Sequence, residues 1–139
     1  GQLGLADRVC FAGPQVEVSA YYGAADFFTL PSLYEPFGHS TLEALACGLP
    51  VVGVRRTGAS ALLSPRLASF TLEDPQDIPA YTAQLDRLLD ADLRASLRAE
   101  AAEVSRGYTL DANAQAFEAL CREVMAEKRA EVGRPAAGR

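Results

Sequence analysis

Apolar residues come in short blocks through the first half of the chain and at helical intervals through the second. Val9-Cys10-Phe11-Ala12-Gly13, preceded by Arg8 and stopped by Gly13-Pro14, predicts a buried strand. Between Gln15 and Ala25, the residues Val16, Val18, Tyr21, Tyr22 and Ala25 fall near helical spacing. Asp26 then leads into Phe27-Phe28-Thr29-Leu30-Pro31, a second apolar run built from β-favouring residues. A polar loop from Ser32 to Gly38 follows. A short helix is predicted over His39 to Cys47, with Ser40 and Thr41 as candidate caps and Leu42, Leu45 and Ala46 on one face. Gly48 falls where a left-handed residue ends a helix, and Pro50 cannot continue one. Val51-Val52-Gly53-Val54 is apolar throughout, as a strand covered on both faces is. Ser69-Phe70-Thr71-Leu72 suits one more short strand.

Beyond Asp74 the pattern changes to Ala, Leu, Glu and Arg with apolar residues at three- and four-residue steps. Helices are expected over Ile78 to Leu89, Ala91 to Val104 and Thr109 to Val132. The alternation of strands and helices predicts an α/β fold, a partial Rossmann-like parallel sheet followed by C-terminal helices. A doubly wound sheet has about five or six strands, so the chain reads as the back half of such a domain. Residues 1–132 are expected to form this partial domain and residues 133–139 a flexible tail.

Composition narrows the function classes. The 139 residues suit one domain, and 49% hydrophobic with 22% charged residues excludes a disordered chain. No apolar run approaches the roughly 18 residues of a membrane span, and the first residues lack the pattern of a signal peptide. The net charge of −5 argues against non-specific nucleic-acid binding. Cys10, Cys47 and Cys121 form no CxxC pair, and His39 is the only histidine. Neither a disulfide framework nor a metal site is expected, and a reducing, cytoplasmic location is.

The chemistry concentrates between Pro31 and Val52. This segment leaves the carboxyl end of a strand and opens a helix, where ligands bind in open α/β sheets. Free amides at Gly38, His39 and Ser40, backed by the helix dipole, suit a phosphate or sugar hydroxyl oxygens. Glu35 and Glu43 flank the turn. An ionised carboxylate accepts hydrogen bonds from a sugar or ribose diol, each worth about 1.5–3 kcal/mol. A helix terminus attracts an anion by only about 0.3–1 kcal/mol at an exposed site. The carboxylates are therefore expected to select the sugar, and the helix end to place the charged group.

Glu35 and Glu43 are separated by seven intervening residues within PSLYEPFGHSTLEALACGLPVV. This segment resembles the E-x7-E signature of retaining glycosyltransferases of family 4, which have the two-domain GT-B fold. The likeness reaches upstream through Val9 to Gly13 and Tyr22 to Asp26, and downstream to Tyr108-Thr109-Leu110. It implies the nucleotide-sugar half of such an enzyme. Glu43 would accept from the ribose, and Glu35, the catalytic candidate, would contact the transferred sugar near the reacting face. Amides of Phe37, Gly38 and His39 would hold sugar hydroxyls, those of Ser40 and Thr41 would lie near the phosphates, and the Gln15 main chain would meet the base. The resemblance implies a nucleoside-diphosphate sugar as donor, with no separate cofactor and no metal.

The resemblance also implies parts this chain lacks: two earlier strands with an Arg and a Lys for the diphosphate, and an N-terminal acceptor domain. Arg55 and Arg56 do not occupy those basic positions. Where the family has Gly-Gly-x-x-Glu, the chain has Thr57-Gly58-Ala59-Ser60-Ala61, without the acid that braces the loop.

Blander readings stand beside these. His39 as a structural residue or general base, Ser40 as a nucleophile and the two carboxylates as a hydrolytic pair or solvated charges are the alternatives at the turn. Tyr21, Tyr22 and Tyr34 read as packing or rim residues, and Cys47 as a small core residue. The rival function is a non-catalytic nucleotide-binding or self-associating module, since a truncated sheet leaves an unpaired edge.

Overall fold

A computed structural model describes residues 3–132, and the tail at 133–139 lies outside them. The chain runs from a short helix α1 (Ser19–Ala24) through strand β1 (Phe28–Thr29) and helix α2 (His39–Ala46) to strand β2 (Val51–Val54). A 3-10 turn (Ala59–Leu62) and helix α3 (Pro65–Ala68) precede strand β3 (Thr71–Leu72). Helices α4 (Ile78–Arg87), α5 (Ala91–Ser105) and α6 (Leu110–Val132) complete it.

The strands form a parallel sheet in the order β1-β2-β3, with Phe28 opposite Val51 and Gly53 opposite Thr71. All four residues of β2 are buried, which explains why its sequence shows no alternation. Helix α2 lies on β1 and β2, and α5 packs on α2. Leu45, Leu49, Val52, Phe70, Leu88 and Leu97 are fully buried in the shared core. Gly48 ends α2 at φ +75°, where a Cβ would stand 3.3 Å from the Arg98 carbonyl of α5. Glycine is thus required there both for its backbone conformation and for the approach of the two helices. This architecture is the expected α/β fold with a partial parallel sheet and C-terminal helices.

The structure corrects two elements near the N-terminus. Val9 to Gly13 forms no strand among the described residues; Phe11 is 94% exposed, and residues 3–18 stay on the surface. A strand needs a neighbour, and β1 pairs only with β2 among the described residues. Alone, so short an apolar run gains too little to order itself. The helix expected over Gln15 to Ala25 shrinks to Ser19–Ala24, with Val16 94% exposed. Six residues hardly nucleate by themselves, and Tyr22 and Ala25 pack against the core.

The helices expected beyond Asp74 form close to their expected bounds, whereas α3 was not expected. Ser64 caps α3 by accepting from the Leu67 amide at 3.2 Å, with Pro65 in its first turn. Asp77 and Asp90 cap α4 and α5 in the same way. Arg94 donates to the Leu88 and Leu89 carbonyls at 2.6 and 2.9 Å, closing the end of α4, and pairs with Asp26 at 3.3 Å. Helix α6 leaves Leu110, Phe117, Leu120, Val124 and Met125 exposed, so its apolar seam is uncovered.

Candidate functional site

The loop between β1 and α2 is shaped by one carboxylate and one glycine. Gly38 takes φ +87° and ψ +60° as the residue before α2, a left-handed conformation that turns the chain into the helix. Neither Ser40 nor Thr41 caps α2, contrary to expectation. The cap position is Gly38, two residues before Ser40 and three before Thr41, and it has no side chain to offer. Glu35 serves the turn from outside, its Oε1 accepting from the Gly38 amide at 2.9 Å and the Phe37 amide at 3.3 Å.

This arrangement decides which amides face outward. Those of Phe37 and Gly38 are held by Glu35, and that of Thr41 donates to the Gly38 carbonyl at 2.9 Å. The amides of His39 and Ser40 have no hydrogen-bond partner among the described residues. Thr41 is buried, with its side chain turned into the protein. The amides of Phe37, Gly38 and His39 were expected to hold sugar hydroxyls and those of Ser40 and Thr41 to lie near phosphates; the folded loop leaves His39 and Ser40 open and engages the other three. Glu35 holds the turn with Oε1 and keeps Oε2 for other partners.

Two clefts meet the loop. One of about 570 Å³ lies at the carboxyl ends of the strands, lined by Tyr34, Glu35, Arg56, Thr57, Glu73 and Asp74 among others. The second, of about 490 Å³, lies between the start of α2 and that of α6, with Phe37, His39, Glu43, Tyr108 and Asn113 on its walls. Glu35 and Glu43 thus line different clefts, which both adjoin the loop leading into the α2 N-terminus. The His39 ring tilts against Phe37 with centroids 4.9 Å apart. Gln15 lines neither cleft; its side chain folds onto the Ala12 carbonyl at 2.6 Å. Arg55 pairs with Glu73 at the surface, whereas Arg56 faces the first cleft.

The turn after β2 holds the loop by its backbone. Gly58 donates to the Pro36 carbonyl at 3.0 Å and Ala59 to the Phe37 carbonyl at 2.8 Å. A Cβ on Gly58 would stand 2.7 Å from the Phe37 ring, so only glycine admits this contact. Thr57 and Ser60 hydrogen-bond to each other at 2.8 Å, and Ser60 donates to the Val54 carbonyl at 2.7 Å. Two hydroxyls therefore tie this turn where the family pattern has an acid.

Tyr22 is the side chain that sequence reasoning undervalued. Its hydroxyl donates to Glu43 Oε2 at 3.0 Å, with the Ser40 carbonyl at 3.4 Å. Burial pushes the phenol pKa up to about 12, reinforced by the hydrogen bond to Glu43 and by the Glu43 charge, with a further contribution from Cys47. The ring also meets Phe28 edge-on at 5.8 Å. The aromatic pair Tyr21-Tyr22 was visible in the sequence, but not the contact across the fold.

A parallel sheet with a ligand-sized cleft at the carboxyl ends of its strands, followed by C-terminal helices, places the chain in the α/β class and is compatible with a partial Rossmann-like domain. The sequence model of the family described as glycosyl transferases group 1 matches residues 1–128, and the chain belongs to that family. Among its relatives, the D-inositol 3-phosphate glycosyltransferase of Salinispora tropica is 38% identical over 91% of this chain and 27% of its own length. The protein of the same name from Mycolicibacterium smegmatis is 35% identical over 99% of this chain and 32% of its own. That of Acidothermus cellulolyticus is 35% identical over 91% and 29% respectively. The chain thus spans about a third or less of these curated relatives.

Proposed function

We propose that the chain is the donor-binding part of a retaining GT-B glycosyltransferase, which transfers a sugar from a nucleoside-diphosphate sugar to an acceptor held by a domain outside this chain. The observation that carries this reading is the placement of Glu35 and Glu43 in separate clefts that both adjoin the loop leading into the α2 N-terminus. A ligand lying across that terminus presents hydroxyls to both carboxylates and its charged middle to the open amides of His39 and Ser40. Glu43 accepts from the ribose; Glu35 Oε2 accepts from the transferred sugar. The nucleoside-diphosphate sugar is the substrate, with no further cofactor assigned. The relatives' names include D-inositol 3-phosphate, but they match this chain over a minor part of their length. Only glycosyl transfer is carried over. The three free cysteines suit the cytoplasm.

An NMR amide titration with UDP, GDP and ADP tests this reading. One nucleotide is expected to shift residues from Gly38 to Glu43, and Glu43→Gln is expected to weaken it about tenfold or more, as loss of a bond to a charged group does. Silence with all three nucleotides on a folded chain would overturn donor binding by this part of the protein.

A second reading, a self-associating module without catalysis, draws on the exposed apolar positions of α6 and the outer edge of β1.

A further inference from the structure

We infer that Tyr22 is a positioning residue for Glu43: its phenol fixes the carboxylate so that a diol meets an acceptor already in place. The inference rests on the donor reading of Glu43 and goes beyond it by naming the group that prepares the acceptor. Three observations carry it. The hydroxyl donates to Oε2 of Glu43 at 3.0 Å and also lies 3.4 Å from the Ser40 carbonyl, so it reaches two points on the first two turns of α2. The ring is itself held, half-buried in the core and edge-on to Phe28 at 5.8 Å. Glu43 is exposed and lines the second cleft, where its side chain would otherwise sample many rotamers.

A free glutamate loses rotamer entropy when a ligand orders it, and that loss weakens binding. A neighbour that orders it beforehand removes the loss. The phenol takes one lone pair of Oε2 and leaves Oε1 and the remaining lone pair of Oε2, enough for the two hydroxyls of a cis-diol. The phenol's raised pKa keeps it a donor throughout the physiological range.

The test compares the 139-residue wild type with Tyr22→Phe, Glu43→Gln and the double variant. Tyr22→Phe keeps the ring and its packing, and an unchanged thermal transition checks the fold. Without ligand, the Glu43 side-chain proton couplings of the wild type are expected to report one dominant rotamer. They should average in Tyr22→Phe. With UDP, GDP or ADP, whichever binds, Tyr22→Phe should weaken affinity about three- to tenfold. It should add clearly less in the Glu43→Gln background, where the charge-assisted bond that the phenol prepares is already lost. A purely structural tyrosine would weaken binding equally in both backgrounds, and that result overturns the inference. So do unchanged couplings in Tyr22→Phe, or unchanged affinity while Glu43→Gln binds weakly. If Glu43→Gln binds like the wild type, or if no nucleotide binds, the donor reading itself fails and this inference falls with it.

Discussion

Tyr22 gives the residue scale its clearest pH signature. In the unfolded chain its phenol ionises near the ordinary value of 10, whereas the fold holds the proton to about 12. Between those values the unfolded state has shed a proton that the native state retains, so stability falls as pH rises through this window. The contribution is fully present below pH 10. Urea unfolding at about pH 9 and about pH 11 should therefore show a larger loss for the wild type than for Tyr22→Phe. Equal losses would place the source of any alkaline instability elsewhere. The sequence made Glu35, Gly38 and Glu43 legible as a group, because they lie within one loop and one helical turn. It could not show that Glu35 Oε1 would be engaged by its own loop's amides, which depends on the left-handed Gly38. Nor could it pair Tyr22 with Glu43, since that contact joins separate elements brought together only by folding.

At the scale of elements, α5 anchors the site from behind. It buries Leu97 and Ala101 and packs on α2, whose N-terminus carries the open amides. The Asp90 carboxylate starts α5 by accepting from the Asp92 and Leu93 amides at 2.9 and 3.1 Å. Asp90→Ala is expected to cost about 1 kcal/mol of stability, as read by urea denaturation. Within error of the wild type, the cap would be shown to contribute nothing. Helices with a cap residue and a strong apolar stripe were legible to within a few residues, as were α2 and β2, where Gly48 and Pro50 mark the boundary. Val9 to Gly13 was not, because apolar composition gives a segment's tendency to be buried without saying what will cover it. The 3-10 turn at Ala59–Leu62 also escaped notice. Its geometry comes from the Thr57 and Ser60 hydroxyls and the carbonyls of a distant loop.

For the whole molecule, the balance between a buried centre and uncovered margins matters most. The sheet and α2, α4 and α5 share one core, while Phe11, Val16, Leu110 and Phe117 stand more than half exposed. Exposed apolar groups on this scale favour association. Sedimentation velocity over a hundredfold concentration range is expected to show a rising mean mass, diminished by Phe117→Ser with Leu120→Ser on α6. A concentration-independent monomer would count against the self-associating module. The sheet has another consequence, in time rather than space. Its strands stand side by side in the order in which they occur along the chain. Each pairing therefore closes one modest loop, Thr29 to Val51 and then Val54 to Thr71, and no pairing waits for α6. Loop closure of this kind grows costlier only slowly with length, and short separations between partners speed folding. The rim that carries Glu35 can thus assemble while the chain is still being made, before α6 has left the ribosome.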